Sequence, residues 1–135
     1  MNQRVLLDAS FWIALRDRRE PWHSRARGLA RQLLANRHGL VFTSLILAET
    51  HAYFSRSELI RNQVLDDAQN NPVLQWEPVS HADETEAIRV LRLHKDKCYS
   101  LCDAISFVVM RRLGLRKAAT FDEHFRQFGE FEIIT

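Results

Sequence analysis

Four acidic residues stand at positions where an uncharged residue would cost less free energy. Asp8 and Asp122 each come directly after a short apolar run, Asp103 opens a strongly apolar segment, and Glu49 falls inside another. Carboxylates about 4 Å apart repel each other by roughly 4 kcal/mol at an effective dielectric constant of about 20. If these side chains meet, they must therefore either keep protons at neutral pH or hold a cation.

The available ligand types favour a hard cation. Carboxylate oxygens select Mg²⁺ or Mn²⁺ over zinc, and the sequence has neither an HExxH motif nor a clustered set of cysteine and histidine ligands. The six histidines are scattered, and His124, close to Asp122, is the one that could join an acidic site. Cys98 and Cys102 have neither redox-pair nor zinc-knuckle spacing, so we expect buried or partly buried thiols in a reducing compartment.

Short apolar runs alternate with helical patterns, and these elements must position the acids. Strands are predicted at 4–7, 40–43, within 73–79, at 118–120 and at 131–134. Helices are predicted from Ser10 as a cap over 11–15, from Pro21 until Gly39 ends the element, over 44–54, from Ser57 to Asn71, from Ser80, and from Asp103 to Gly114. This alternation predicts one α/β domain over residues 1–135, a three-layer α/β/α sandwich with a mostly parallel central sheet.

In such sheets ligands bind outside the carboxyl ends of the strands, where Asp8 and Asp122 should lie. Structural explanations stay open for each acid. Asp103 and Asp122 also suit helix N-caps, Asp8 suits an ordinary turn, and Glu49 suits the edge of an apolar helix face. An aspartate-phosphorylated or dehalogenase-like fold would also place an aspartate at the end of a strand. Such proteins usually carry a second aspartate two residues later, where this chain has Ser10.

Four segments in order along the chain resemble the motifs of PIN-domain nucleases. The segment from Asp103 to Phe125 is the most specific, because a D-A-x-S-F helix followed by T-F-D-x-x-F is typical of VapC-like toxin ribonucleases. The resemblance covers the chain from end to end and rests on Val5-Leu6-Leu7-Asp8-Ala9-Ser10, Leu47-Ala48-Glu49, Ser100-Leu101-Cys102-Asp103-Ala104-Ile105-Ser106-Phe107 and Thr120-Phe121-Asp122-Glu123-His124-Phe125.

The resemblance implies that the four acids converge on one or two Mg²⁺ or Mn²⁺ ions, with Ser10 and Thr120 as supporting hydroxyl groups. It further implies an endoribonuclease that hydrolyses RNA to 5′-phosphate and 3′-hydroxyl products, as the toxin of a type II VapBC toxin–antitoxin pair. A housekeeping RNA-processing PIN nuclease and a non-catalytic scaffold that binds RNA or protein are the alternatives. Family members with this pattern cut transfer or ribosomal RNA, and each is blocked by a cognate antitoxin.

Charge and apolar residues add weaker expectations. The formal net charge of +2 is too small to argue for nucleic-acid binding by itself. The Arg16, Arg18 and Arg19 side chains follow the first motif and are candidate contacts to the RNA backbone, although a solvated loop explains them equally. The three tryptophans are expected mainly in packing, with stacking on unpaired bases as the alternative.

A homodimer is expected, its surface supplied in part by Leu45, Leu47, Tyr53, Phe54, Leu59 and Ile60. We find no signal peptide and no apolar run long enough for a membrane span, so a cytoplasmic location is expected.

Overall fold

The computed structural model describes residues 3–135, and within them the chain forms five strands and seven helices in alternating groups. The strands are β1 (Arg4–Leu7), β2 (Gly39–Phe42), β3 (Leu74–Trp76), β4 (Lys117–Ala119) and β5 (Glu132–Ile134). The helices are α1 (Ala9–Arg16), α2 (His23–Ala35), α3 (Ser44–Tyr53), α4 (Glu58–Asn70), α5 (His81–Leu93), α6 (Leu101–Leu113) and α7 (Glu123–Phe128).

The strands form one sheet in the order β3-β2-β1-β4-β5, and each neighbouring pair is parallel. Right-handed crossovers place α1 to α4 on one face of this sheet and α5 to α7 on the other. The predicted three-layer α/β/α sandwich is therefore confirmed, with a sheet that is parallel throughout. The chain winds outward from β1 in one direction and from β4 in the other, so the crevice between these two strands is the switch point where such folds bind ligands.

The central position of α6 follows from its sequence. Its residues from Cys102 to Met110 are all buried, as the apolar pattern predicted. Phe107 stacks on Phe128 at 4.2 Å and meets Phe125 edge-on at 5.0 Å, which fixes the helix against the end of the chain. Gly114 ends α6 in the left-handed region with φ of +68°, where a side chain would be strained.

Several helix boundaries differ from the prediction: α1 begins at Ala9 and not at residue 11, α6 begins at Leu101 and not at Asp103, and both ends of α2 shift. The second helix begins at His23 and not at Pro21, and it ends at Ala35. The stop is made by Arg37, which takes a left-handed φ of +59°, while the His38 amide donates to the carbonyl of Leu33 at 2.9 Å. This is a Schellman-type ending, in which glycine usually occupies the left-handed position. Because an arginine in the sequence does not indicate a helix end, the prediction that Gly39 ends this helix is wrong. Gly39 is the first residue of β2.

Buried charge outside the sheet ends is paired. Asp83 of α5 is buried, and the Arg112 guanidinium donates to both of its oxygens at 2.9 and 3.0 Å. Arg112 also donates to Glu77 at 2.9 Å. The guanidinium holds the pKa of Asp83 below its usual value even though burial alone would raise it. This network links α5, α6 and the segment after β3.

Several apolar and thiol positions are now assigned. Phe54 lies in the core, so its predicted place on a dimer surface is wrong, and Leu45, Leu47 and Ile60 pack against the core while partly exposed. Tyr53 and Leu59 remain exposed. Both cysteines are free thiols; Cys102 is buried as expected, whereas Cys98 is exposed. Between residues 3 and 135, no helix combines the length and apolar character that crossing a membrane requires.

Candidate active site

Asp8 is the innermost acid and lies at the carboxyl end of β1. Its amide donates to the carbonyl of Ala119 at 3.0 Å, which extends the pairing of β1 with β4 by one residue. The side chain is only 4% exposed. Although Asp8 is the residue before α1, its carboxylate makes no cap hydrogen bond to that helix. Its oxygens therefore face the crevice and its polar neighbours.

Two hydroxyl groups hold Asp8 by the same oxygen. Ser10 Oγ donates to Asp8 Oδ2 at 2.8 Å, and Thr120 Oγ1 donates to the same atom at 2.9 Å. Each hydroxyl in turn accepts a backbone N–H, Ser10 from Phe121 at 3.0 Å and Thr120 from Asp122 at 2.9 Å. The prediction that Ser10 caps the first helix is wrong, because Ser10 lies inside α1 and its hydroxyl supports the acid. Donors and acceptors in this network are matched, so the orientation of Asp8 is fixed.

Asp103 is positioned by the first turn of α6. Ser100 is the N-cap and Asp103 is the third helical residue, with reciprocal side-chain to backbone bonds of 3.0 Å that form a capping box. The Ser-x-x-Asp spacing is a sequence signal for this motif, and it shows that the N-cap interpretation of Asp103 was off by three residues. Asp103 is buried, and its Oδ2 lies 2.6 Å from Nδ1 of His124. An N–H on that ring nitrogen is donated to the carboxylate.

Asp122 follows β4 and is the N-cap of α7, as the structural interpretation allowed. Its Oδ1 accepts the amide of His124 at 2.9 Å. The cap bond uses one oxygen of a half-buried carboxylate, so capping and a second role are compatible. Ligand atoms of Asp103, Asp122 and His124 all lie within 4.8 Å of one another. His124, which the sequence singled out only by its closeness to Asp122, is thus part of the cluster.

Glu49 lies on α3 at the exposed rim of the same cluster. Burial of its carboxyl group and then the negative charge of Asp103 raise its pKa, although a bond from the Cys102 thiol lowers it in part. The thiol contact was not predicted, since no sequence pattern links Cys102 to a residue more than fifty positions away. For Cys102 itself, burial and the neighbouring carboxylates raise the pKa of the thiol, which stays protonated and can donate.

The cluster carries more negative charge than the protein neutralises. The pKa of Asp8 is raised to about 6. Burial is the largest cause of the rise, the hydrogen bonds from Ser10 and Thr120 lower the pKa in part, and the charges of Asp103 and Asp122 raise it further. Burial, and then the charge of Asp103, also raise the pKa of Asp122. The structure groups Asp103 and Asp122 with His124, and Asp8 and Glu49 both lie within the influence of the charges of Asp103 and Asp122. Their oxygen-rich donor set fits a hard divalent cation, which would remove the repulsion.

The three arginines predicted to meet a substrate have different surroundings. Arg16 forms an ion pair with Asp67 and donates to Gln63 at 3.1 Å, so it links α1 to α4. Arg18 and Arg19 are both exposed, and Arg19 donates to the buried Asp17. These arginines line one side of a groove of about 840 Å³ whose other side is formed by the end of α3 and the start of α4. The four acids do not line this groove, so it is separate from the crevice.

A parallel sheet with acids from four elements at its switch point is the architecture of a metal-binding nuclease domain. The PIN domain family model matches residues 5–130, and the chain belongs to that family. It is 34% identical over 131 residues to the "23S rRNA-specific endonuclease VapC20" of Mycobacterium tuberculosis, an alignment that covers 96% of this chain and 97% of the relative.

Solved structures give the same result for the fold. The crystal structure of Mycobacterium tuberculosis VapC20, described as a sarcin–ricin loop cleaving toxin, superposes with a TM-score of 0.81 at 28% identity, covering 95% of this chain and 97% of VapC20. VapBC2 from Rickettsia felis, bound to a DNA fragment from its promoter, has a TM-score of 0.69 at 14% identity and covers 98% of both chains. FitAcB from Neisseria gonorrhoeae has a TM-score of 0.69 at 13% identity, covering 97% of this chain and 96% of that one. At these lower identities the similarity concerns the fold.

Proposed function

We propose that this protein is a divalent-metal-dependent endoribonuclease and the toxin of a type II toxin–antitoxin pair. The observation that carries the proposal is the grouping of Asp103, Asp122 and His124, whose ligand atoms lie within 4.8 Å of one another. Asp8 and Glu49 support it, since burial and then the charges of Asp103 and Asp122 raise the pKa of both carboxyl groups. The 34% sequence identity to VapC20, which extends over 96% of this chain, supports RNA as the substrate.

In this proposal the four carboxylates hold Mg²⁺ or Mn²⁺. Such an ion, when bound, supplies positive charge that offsets the charge developing on the phosphate and makes water a better nucleophile at neutral pH. Ser10 and Thr120 fix the orientation of Asp8, and both of their protons are committed to one of its oxygens. His124 holds one oxygen of Asp103 in the same way. These supporting bonds keep the acids in place before any cation arrives.

The substrate and partners follow the same reasoning. We expect a structured RNA such as transfer or ribosomal RNA, cut in the cytoplasm, and a cognate antitoxin that covers the acidic crevice. The exposed Arg18 is the strongest of the three candidates for a contact to the RNA backbone, which positions a strand without reading its sequence, whereas Arg19 is paired with Asp17. Arg16 is already paired with Asp67, so its contribution to RNA binding should be smaller.

Cleavage of an RNA panel with Mn²⁺ tests the activity. The wild-type protein should cut at least one structured RNA and leave a 5′-phosphate, and chelation should abolish the cleavage. Asp8→Asn should be inactive, because the crevice loses the most buried of its charges. Asp66→Asn, a change at an exposed aspartate of α4, is the matched control and should cleave normally. Equal cleavage by the Asp8→Asn and wild-type proteins would reject the metal-site assignment.

We also propose a homodimer that uses the exposed apolar residues at the junction of α3 and α4. Tyr53 is 46% exposed and Leu59 is 70% exposed, an unusual position for a leucine with no partner. Light scattering should give twice the mass of the chain for the wild-type protein and a lower mass for Leu59→Glu. A monomer at high concentration in the wild-type protein would reject this interface.

A further inference from the structure

Three aromatic rings form a ladder that runs from the core to the surface beside the crevice. Phe11 stacks on Phe121 with centroids 5.5 Å apart and planes 4° apart, and Phe121 stacks on Trp22 at 5.4 Å and 6°. Phe11 is fully buried, Phe121 is partly buried, and Trp22 is 52% exposed. The ladder therefore ends in an indole that lies parallel to the ring of Phe121 and is half exposed to solvent.

The ladder is fixed by the hydrogen bonds that fix the acids. Phe121 stands between Thr120 and Asp122, and its amide donates at 3.0 Å to Ser10 Oγ, the hydroxyl that donates to Asp8. The amide of Phe11 donates at 3.1 Å to the backbone carbonyl of Asp8. The exposed indole is therefore only one ring away from the main chain of the acidic site.

Trp22 is held firmly at the start of α2. Its carbonyl accepts the amide of Ala26 at 2.8 Å, and the next residue, His23, places Nδ1 2.7 Å from the carbonyl of Ala14 in α1. The other exposed tryptophan, Trp76, is accounted for by local packing, since its indole N–H donates to Ser44 at 3.1 Å and its ring tilts 35° against Phe42. A preordered ring loses little conformational entropy when something stacks on it.

We propose that Trp22 is a stacking platform for an unpaired RNA base next to the scissile phosphate. The inference rests on the proposed ribonuclease function and narrows its substrate to RNA with a base accessible in a loop, bulge or single strand. Proteins that bind such RNA stack splayed bases on aromatic rings, which accept any base because every base has a flat face. Arg18, four residues before Trp22 and exposed, offers a positive charge to the RNA backbone, whereas Arg19 is paired with Asp17.

Binding to a non-cleaving background tests this role. Asp8→Asn protein is titrated with a fluorescein-labelled hairpin that reproduces the sarcin–ricin loop, and with a fully paired duplex of the same length. Trp22→Ala in that background should raise the Kd for the hairpin by about 5- to 100-fold, the range observed when a stacking aromatic is removed. Trp22→Phe should stay within about three-fold, since it keeps a ring. Duplex binding should not change, because its bases are not accessible.

A hairpin series with single abasic nucleotides separates stacking from a structural effect. Removing the stacked base should weaken binding of the Asp8→Asn protein as much as Trp22→Ala does, and combining the two changes should add nothing further. Trp22→Leu keeps apolar bulk over Phe121, so it serves as the control for folding and should bind as poorly as Trp22→Ala. Binding by Trp22→Leu at the level of the unsubstituted background, or abasic losses that simply add to the loss from Trp22→Ala, would overturn the proposal.

The outcomes also separate this inference from the proposed function. If the wild-type protein cuts no RNA in the panel, the ribonuclease proposal fails whatever Trp22 does. If cleavage is normal and Trp22→Ala binds the hairpin normally, only the stacking role is rejected. If Trp22→Ala weakened binding to the cognate antitoxin but not to the hairpin, this face would be a protein-docking site, and the stacking role would also be rejected.

Discussion

Replacing Asp8 with asparagine is expected to stabilise the metal-free protein while abolishing cleavage. In the folded chain the pKa of Asp8 rises from 3.8 to about 6, so the charged carboxylate is less favourable there than in the unfolded chain. A raised pKa means that the contribution of Asp8 is favourable below pH 3.8 and is lost as the pH rises through about 6. At pH 7.5 the charged form therefore costs about 3 kcal/mol. Asparagine carries no charge, and its amide oxygen can accept both hydroxyls that now meet at Oδ2.

Thermal unfolding in EDTA measures this gain. For a domain of this size, about 3 kcal/mol corresponds to an increase in Tm of roughly 10 °C at pH 7.5. At pH 5 the wild-type carboxylate is mostly protonated in the folded state, so the gain should fall to about half. Adding Mn²⁺ should raise the Tm of the wild-type protein and leave that of Asp8→Asn unchanged. A variant less stable than wild type at pH 7.5, or a gain equal at both pH values, would refute the argument that uncompensated charge destabilises this crevice.

Three further predictions concern the groups around the acids and the ion pair between α5 and α6. Loss of the ring hydrogen bond to Asp103 in His124→Ala should weaken Mn²⁺ binding and cleavage by roughly 10- to 100-fold, measured by metal titration and by kcat/KM. Thr120→Val removes one of two hydroxyls that lower the pKa of Asp8, so this pKa should rise and the acidic limb of the pH–rate profile should move to higher pH. Arg112→Met leaves its buried aspartate partner without a cation, which should cost roughly 3 kcal/mol in urea unfolding while cleavage by the folded protein persists.

Conservative variants separate these effects from general damage. His124→Asn can keep an N–H donor near the position of Nδ1 and should retain most of the metal affinity; an equal loss in both variants at this position would exclude the hydrogen bond as the cause. Thr120→Ser keeps the hydroxyl, and a profile shifted as far as that of Thr120→Val would contradict the role assigned to it. Arg112→Lys keeps the charge without the two-pronged geometry, so an intermediate loss is expected there, and no loss with Arg112→Met would show that Asp83 needs no cation.

Much of the fold was predictable because each strand is a short apolar run between helical patterns. The strand order was not, since β1 and its neighbours are buried on both faces and therefore lack the alternation that identifies a face. Boundaries were correct where the chain carries a strong signal, as at Gly114, and wrong where an unusual residue does the same work, as at Arg37. Local sequence records propensity, whereas the conformation of Arg37 goes with the bonds that its own amide and that of His38 donate back to the last turn of α2.

The candidate site was predicted less evenly. The four acids were singled out by their positions relative to apolar runs and by the motif order, and the structure groups two of them, Asp103 and Asp122, with His124. The sequence named His124 as a candidate only because it is close to Asp122, and it gave Cys102 no role in the site. The hydrogen bond of 2.6 Å between His124 and Asp103 could not be predicted, because it depends on how α6 and α7 pack. The same holds for Trp22. The sequence contains three tryptophans, but only the packing shows that Trp12 is buried whereas Trp22 is exposed and stacks on Phe121, the residue before Asp122.

The order of strands in the sheet has a consequence for synthesis of the protein. Of the five strands of the sheet, the central β1 is synthesised first, and its neighbour β4 is made only from residues 117–119, after β2 and β3. The hydroxyl that completes the support of Asp8 comes from a residue 112 positions later. A growing chain therefore cannot complete the support of Asp8 until Thr120 has been synthesised. For an enzyme that cuts RNA, this order of assembly leaves the acidic crevice unfinished while the first three strands are being made.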